Sequence, residues 1–323
     1  MALLGSEDAS LRARMQQAVA LETGVHSRRT AYLLLGSLVL LWGANWPVMK
    51  LTLAVLPPFW FVTIRLFLGS GSLFIALALA GGVRLPGRGD LLQLTIGGLV
   101  QLALYMTLCI LGLQSMAAGR AAVLAYTTPL WVVPGALLFL GERLNSLKAA
   151  GLALGIVGVL VLFNPLGFDW HNGAEVRGNL LLMGAAFAWA AAILVIRGHS
   201  WRLTPFQLAP WQMLLGGCVL LMLSLAVEGP LHARVDAPFL ALLLYNGPIC
   251  IGFCGWAALV VTRSLPAVTS SLSFLAVPAF GIAAAEIALG EPLDPTLLGG
   301  FALILGGMIL VGLGDRRQRA QGR

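Results

Sequence analysis

The sequence predicts an all-α membrane protein with ten transmembrane helices, built as two inverted five-helix repeats. Three observations support this fold class: the composition, the spacing of the apolar segments and an internal duplication. Of the 323 residues, 59% are hydrophobic and only 10% are charged, whereas soluble domains carry about 25% charged residues. The composition therefore excludes a soluble globular domain.

Ten apolar segments are long enough to be transmembrane helices. A helix needs about 17–25 residues to cross the hydrocarbon core of a bilayer. The segments that meet this length are 32–49, 59–80, 91–113, 119–140, 147–163, 178–196, 206–227, 238–262, 267–289 and 296–313. Turn-forming sequences such as Glu228-Gly229-Pro230 separate them. All connections are short, so the sequence predicts no extramembrane catalytic domain.

The positions of lysine and arginine predict the orientation. With the N-terminus in the cytoplasm, fifteen basic residues fall on the cytoplasmic side of the predicted spans and four on the outer side. The outer four are Lys50, Arg120, Arg177 and Arg234. Because cytoplasmic loops carry an excess of basic residues, both termini are predicted to be cytoplasmic. The formal net charge of +7 therefore reflects orientation in the lipid bilayer, and it predicts no nucleic-acid partner.

An internal duplication relates the two halves at an offset of 149 residues. The matching positions include Pro129 with Pro278, Gly141-Glu142 with Gly290-Glu291, and Gly158 with Gly307. Since each repeat has five helices, an odd number, the second copy must enter the membrane upside down. The predicted organisation is a cytoplasmic tail at 1–30, a first repeat at 31–163, an inverted second repeat at 178–314 and a cytoplasmic tail at 315–323.

Glycines recur at helical spacing in the fifth and tenth segments. They are Gly151, Gly155 and Gly158 in the fifth, and Gly299-Gly300 and Gly306-Gly307 in the tenth. Small residues at this spacing let two helices approach closely. The pattern predicts close packing, either between the repeats or between protomers.

Inverted repeats are typical of secondary transporters, which bind substrate near the middle of the membrane between the two copies. The sequence contains no G-x-x-x-x-G-K-[ST], G-x-S-x-G or H-E-x-x-H motif. It therefore predicts neither ATP-driven transport by this chain nor an enzyme, and it predicts no cofactor and no metal site. The cysteines lie in apolar segments and are interpreted as buried thiols; they are Cys109, Cys218, Cys250 and Cys254.

Several short motifs resemble one transporter family over about residues 30–315. They are Trp42-Gly43-Ala44-Asn45-Trp46-Pro47, Pro58 with Arg65, the Ala118–Pro129 segment, and the Gly-Glu helix endings at Glu142 and Glu291. With these motifs the chain resembles the drug/metabolite transporter superfamily, specifically the EamA-type ten-helix exporters. Its aromatic-rich spans are similar to those of bacterial aromatic amino acid exporters. The resemblance implies an exporter of the bacterial inner membrane that works without a cofactor. The chain is expected to act as a monomer or a homodimer.

The predicted substrate site lies where prolines interrupt the fourth and ninth segments. Prolines at matching positions free backbone carbonyls near mid-membrane, so Pro129 and Pro278 are predicted hinges. Aromatic and polar side chains in the spans are the predicted substrate contacts. They are Tyr105, Tyr126, Trp46, Asn45, Gln101, Trp189, Phe274 and Ser271. The alternative interpretation is that these residues form packing kinks and interior aromatic contacts.

Arg65 is the basic residue that falls well inside a predicted span. A charge at that depth is costly and usually faces a cavity or a partner. Arg65 is therefore predicted to bind a carboxylate or to gate the outer side by pairing with Glu286. The alternatives are a static pair between helices and a side chain that extends to the membrane surface.

The predicted substrate is a small amphipathic metabolite, most simply an aromatic or other neutral amino acid, moved outward by alternating access. Alternatives are export of another metabolite (threonine or homoserine, a cysteine precursor, a drug-like cation) and a polytopic membrane enzyme that acts on lipids or sugars. Bare loops and a paired repeat favour the transporter.

Overall fold

The computed structural model describes residues 28–79, 82–139, 144–163, 172–196, 202–233, 235–264, 274 and 276–320. Within these residues the chain forms ten apolar helical spans and no strand, which confirms the predicted fold class. Eight of the described spans are long and apolar enough to cross a membrane, and the fifth and ninth are shorter.

The spans are named α1 to α10 in chain order. They are α1 (Arg28–Leu53), α2 (Pro58–Leu79), α3 (Arg88–Leu113), α4 (Ala118–Phe139), α5 (Ser146–Phe163), α6 (Gly173–Ile196), α7 (Pro205–Val227), α8 (Ala237–Leu244 continuing through Tyr245–Phe253 to Cys254–Ser264), α9 (Ala276–Leu289) and α10 (Pro295–Ala320).

Local sequence explains where several spans begin and end. Pro58, Pro205 and Pro295 each occupy the first helical position, where the missing N–H of proline has no helical partner to lose. The hydroxyl of Thr204 accepts from the backbone N–H of Gln207 at 3.3 Å and completes a capping box at the start of α7. Gly290 follows the end of α9 with a φ of 66°, a left-handed conformation that glycine adopts without a steric cost.

The duplication is visible in the backbone of α3 and α8. Each contains a nine-residue π-helical stretch, Ile96–Leu104 in α3 and Tyr245–Phe253 in α8. The two stretches are related by the same 149-residue offset as the sequence motifs. Since π-helices are rare, their occurrence at equivalent positions supports the repeat independently of side-chain identity.

Helices of one repeat pack mainly on helices of the other, in symmetric pairs. α1 packs on α9 as α6 packs on α4, and α2 packs on the π-helical part of α8 as α7 packs on that of α3. Equivalent helices also pack on each other, namely α2 on α7, α4 on α9 and α5 on α10. This pattern of contacts is the one expected for two repeats related by a pseudo-twofold axis in the plane of the membrane.

Glycines bring the equivalent helices into close contact. A Cβ added to Gly158 would lie 2.8 Å from the carbonyl oxygen of Gly300, and one added to Gly307 would lie 2.5 Å from that of Gly151. These contacts join α5 to α10. Of the two interpretations offered by the glycine pattern, the structure therefore supports packing between the repeats.

Two faces of the bundle are named by residues that lie on them. The Lys50 face contains the end of α1 at Lys50 and the starts of α2, α4 and α10. The tail face contains the start of α1 and the junction of α5 with α10, where the side-chain amide of Asn145 donates to the carbonyl oxygen of Gly314 at 2.8 Å.

Candidate functional site

The centre of the bundle contains a buried guanidinium. Arg65 on α2 is 7% exposed, and Tyr105 and Cys109 of α3 and Cys250 and Cys254 of α8 lie close enough to interact with it electrostatically. These neighbours are neutral residues that come from both repeats. Arg65 is therefore a cation at the boundary between the repeats, and none of these four neighbours carries a negative charge that compensates it.

Arg65 has few hydrogen-bond partners. Its Nη1 donates to the thioether sulfur of Met49 at 2.7 Å, and its Nε has no partner. Among the described residues the ion pairs are Lys50–Glu291 and Arg120–Glu175, so none includes Arg65. Removing an ion from water costs several kcal/mol unless it is paired. Arg65 thus retains unused capacity to bind an anionic group.

The predicted pair between Arg65 and Glu286 does not form in this structure. Arg65 is buried between α2, α3 and α8, whereas Glu286 is exposed on α9. Glu286 lies near the end of α9 at the Lys50 face, and the rotation of α9 about its own axis directs its side chain to the outside of the bundle.

One aromatic cluster adjoins this centre. Trp42 of α1 lies 6.3 Å from Phe274, ring centroid to ring centroid. Tyr126 and Trp256 pack in the same cluster. The indole N–H of Trp42 donates to the carbonyl oxygen of Cys250 at 2.8 Å. Aromatic residues of α1, α4 and α8, together with Phe274, therefore meet beside the cysteines that surround Arg65.

A second aromatic pair contacts the centre from α3 and α6. The rings of Tyr105 and Trp189 meet edge to face with centroids 4.6 Å apart, the geometry that aromatic pairs prefer. Tyr105 also lies within hydrogen-bond reach of Cys109. The structure thus brings together four residues from the predicted site, Tyr105, Tyr126, Trp189 and Phe274.

The helix break predicted at Pro129 is present in α4. This span consists of Ala118–Ala125 and Thr128–Phe139, with Tyr126 between them. The hydroxyl of Thr127 donates to the carbonyl oxygen of Leu124 at 2.7 Å and satisfies a backbone group that the break releases. Pro129 occupies the first turn of the second segment. Pro278 is buried in the first turn of α9, the equivalent position in the other repeat.

The other predicted contacts have different surroundings. Trp46 is 5% exposed, and its ring lies 3.5 Å from where a Cβ of Gly281 would be, so it packs at the crossing of α1 and α9. Asn45 is buried with a side-chain oxygen that has no partner. Gln101 is half-buried and makes no side-chain hydrogen bond to a described residue. Ser271 lies outside the described residues.

The sequence predicted no site role for Met49, for Trp42 or for the cysteines beside Arg65. The cysteines were interpreted as packing residues because thiols are common in cores. The repeat offset was a usable signal, because it aligns Cys250 with Gln101 and Cys254 with Tyr105. Between Trp42 and Trp46, which share a helix face, only three-dimensional packing distinguishes the residue that joins the aromatic cluster.

The carboxylate of Glu291 connects several helices at the Lys50 face. Glu291 accepts from the Lys50 ammonium at 3.3 Å and from the backbone N–H groups of Ala118 and Gly119 at 2.7 and 3.1 Å. Lys50 also donates to the carbonyl oxygen of Met116. A carboxylate is stabilised at a helix N-terminus by the free N–H groups and the helix dipole. Glu291 therefore joins the end of α1 to the start of α4.

Two open grooves lie on the outside of the bundle. One of about 560 Å³ is lined by apolar residues of α1 and α8, including Val48, Val55 and Leu242. The other, of about 410 Å³, runs along α6 and includes Leu108 and Leu180. Neither includes Arg65 or its neighbours, so the buried cluster is enclosed on the sides that these grooves occupy.

Comparisons with known proteins agree with this architecture. The profile of the EamA-like transporter family matches residues 29–164 and 176–313. The chain is 32% identical over 294 residues to "Uncharacterized transporter YvbV" of Bacillus subtilis, covering 90% of this chain and 94% of that protein. It is 30% identical over 306 residues to "Probable amino-acid metabolite efflux pump" of Salmonella typhimurium, covering 91% and 98%. A solved crystal structure superposes with a TM-score of 0.61 at 25% identity, covering 90% of this chain and 99% of that chain.

Proposed function

Because the chain belongs to the EamA-like transporter family, whose members are membrane transporters and not enzymes, we propose that it exports aromatic or other neutral amino acids by alternating access. The Salmonella typhimurium relative is named for efflux of amino-acid metabolites, which supports the substrate class. The proposed location is a bacterial inner membrane, with both termini in the cytoplasm and the Lys50 face outside, as the distribution of basic residues favours.

The observation that carries the substrate class is the buried Arg65, which lies beside aromatic rings and has no ion-pair partner among the described residues. An amino acid carries a carboxylate, and charge-assisted hydrogen bonds from a guanidinium to a carboxylate are among the strongest in proteins. An aromatic side chain would pack against Tyr105 and Trp189 or against Tyr126 and Trp42. The positive charge of Arg65 disfavours a drug-like cation as the substrate.

Alternating access is supported by where the cluster lies. Its residues come from both repeats, at the level of the α4 break and the π-helical stretches, and inverted-repeat transporters bind substrate at such a boundary. The junction made by Lys50 and Glu291 is the proposed outer gate, in place of the Arg65–Glu286 pair that the sequence favoured. It joins α1, α4 and the connection after α9, and these elements would have to separate to open a path to the Lys50 face.

Transport by the purified protein tests this proposal. Proteoliposomes would be supplied with labelled phenylalanine, tryptophan or threonine, with and without an imposed proton gradient. Saturable uptake of the two aromatic amino acids is expected, with strong competition by other aromatic amino acids and only weak competition by lipophilic cations. Protein-free liposomes are the control. Uptake of threonine alone, or of none of the three, would overturn the aromatic assignment.

A further inference from the structure

The thioether of Met49 is an unusual partner for a buried guanidinium. Arg65 Nη1 donates to it at 2.7 Å while Nε remains unpaired. Met49 itself is 4% exposed and belongs to the main apolar core. A thioether sulfur is a weak acceptor, whereas a guanidinium presents five N–H donors in a fork that fits a carboxylate. The contact therefore leaves most of the binding capacity of Arg65 unused.

A weak partner has a consequence for ligand binding. The free energy of binding to Arg65 is the difference between the contacts that the ligand makes and those that it replaces. A carboxylate partner in the protein would have to be displaced at a large cost, and an empty apolar surrounding would leave the cation without compensation. The cost of displacing Met49 lies between these two cases, because its thioether holds the guanidinium in place but binds it only weakly.

We propose that Met49 is a displaceable partner of Arg65 and that the carboxylate of the substrate takes its place; this inference rests on the proposed function. The strength of the contact between Met49 and Arg65 then sets the affinity for amino acids. Met49 has a positioning role and need not touch the substrate. It precedes Lys50 in the last turns of α1, so its release from Arg65 loosens the same helix end that Glu291 fastens at the Lys50 face. Substrate binding and outer-gate opening would then act on one short segment.

Two substitutions of opposite chemistry test the role of Met49. Met49→Leu keeps the volume but removes the acceptor, and Met49→Gln keeps the length but offers a stronger acceptor. An ordinary hydrogen bond changes affinity about fivefold, and a bond to a weak thioether acceptor changes it less. The KM for phenylalanine is therefore expected to fall about twofold in Met49→Leu and to rise about fivefold in Met49→Gln. Met308→Leu, a buried methionine of α10, is the matched control and should leave KM unchanged.

The carboxylate is tested by comparing phenylalanine with phenethylamine, which lacks it, as competitors of labelled phenylalanine uptake. The inhibition constant of phenethylamine is expected to be the same in the wild type and in both variants. Opposite shifts in the two variants do not arise from partial unfolding, which would lower the maximal rate in both.

The possible failures are distinguishable. If Arg65→Gln abolishes the discrimination between phenylalanine and phenethylamine but neither Met49 variant changes KM, the role of Met49 is overturned and the proposed function stands. Equal shifts for the acid and the amine would also overturn it. A wild-type protein that does not discriminate between the two compounds would overturn both proposals.

Discussion

In the first repeat Arg65 stands where the second repeat has Gln212, and the two side chains are in opposite situations. Pro58 and Pro205 begin α2 and α7, and Arg65 and Gln212 each lie seven positions after the proline, so the offset between these two helices is 147 residues instead of 149. The amide of Gln212 donates to the carbonyl oxygen of Gln93 at 2.7 Å. Arg65 has only a thioether and retains an unpaired Nε.

The packing around these two positions, in contrast, is nearly the same in both repeats. A Cβ added to Gly69 would lie 3.4 Å from the sulfur of Met213, and one added to Gly216 would lie 3.3 Å from Leu66. Because Gly69 corresponds to Gly216 and Leu66 to Met213, the pseudo-twofold axis relates one contact to the other. Equivalent helices must fit each other on both sides of the pseudo-twofold, so packing residues are duplicated. An amino acid has no twofold symmetry, so a site that binds it on the axis must be asymmetric. The repeats differ where the proposed ligand binds.

The largest effect is expected where the repeats are equivalent. Gly158→Val and Gly307→Val each place side-chain atoms against backbone of the partner helix, at 2.8 and 2.5 Å for the Cβ alone. Overpacking typically costs about 1–3 kcal/mol and more when backbone must move. Both variants should lose most of the folded protein, to a similar extent, as measured by thermal unfolding in detergent. Gly299→Ala is the control, because no atom lies within 4 Å of its added Cβ; a stable Gly307→Val variant would contradict the close α5–α10 contact.

The asymmetry is tested by making the first repeat resemble the second. Arg65→Gln removes the charge-assisted hydrogen bonds to a carboxylate, and these contribute about 1.5–3 kcal/mol, so the KM for phenylalanine should rise about 10- to 100-fold. Gln212→Leu should leave KM unchanged and lower only thermal stability, through loss of the bond to Gln93. Equal effects of the two substitutions on KM would mean that Arg65 has a structural role.

Tyr105 and Cys254 occupy equivalent positions of α3 and α8, and they differ in what they offer a substrate. Tyr105→Ala removes a ring that contacts Trp189, and because aromatic pairs contribute about 0.5–1.5 kcal/mol, transport of tryptophan should weaken about two- to tenfold. Cys254→Ala should change transport less than twofold. Uptake by equal amounts of folded protein provides the measurement, and wild-type transport by Tyr105→Ala would remove this ring from the site.

The smallest effect is expected at the proposed outer gate. Glu291→Gln keeps the shape of the side chain but removes its charge, and because Lys50 and Glu291 are partly exposed, the loss is expected to favour outer opening only about threefold. In a Cys218→Ser background, an impermeant thiol reagent applied from the Lys50 face should label the buried cysteines Cys109, Cys250 and Cys254 faster. The same change at Glu142, the repeat partner of Glu291, should slow this labelling; Glu142 lies outside the described residues. Unchanged labelling in both variants would argue against gating by this junction.

Four features could be predicted from the amino-acid sequence alone: the ten spans, the duplication, the break in α4 and the presence of a cation inside α2. These features depend on apolar length, on proline and glycine, and on a fixed offset, all of which are local or periodic properties. The aromatic residues Tyr105, Tyr126, Trp189 and Phe274 were predictable as a group, because few side chains in the spans are large and partly polar.

Which side chains contact one another could be learned only from the three-dimensional packing of the helices. Arg65 contacts Met49 and not Glu286, Glu291 fastens Lys50 to the start of α4, and Trp42 joins the aromatic cluster while Trp46 packs against Gly281. Each of these partners comes from a different helix or a different turn. Their meeting depends on the rotation and crossing of whole helices, which is set by close contacts at small residues such as Gly69 and Gly216. The helical period of the sequence shows which residues share one face of a helix. Which other helix that face contacts depends on how helices distant in the chain pack together.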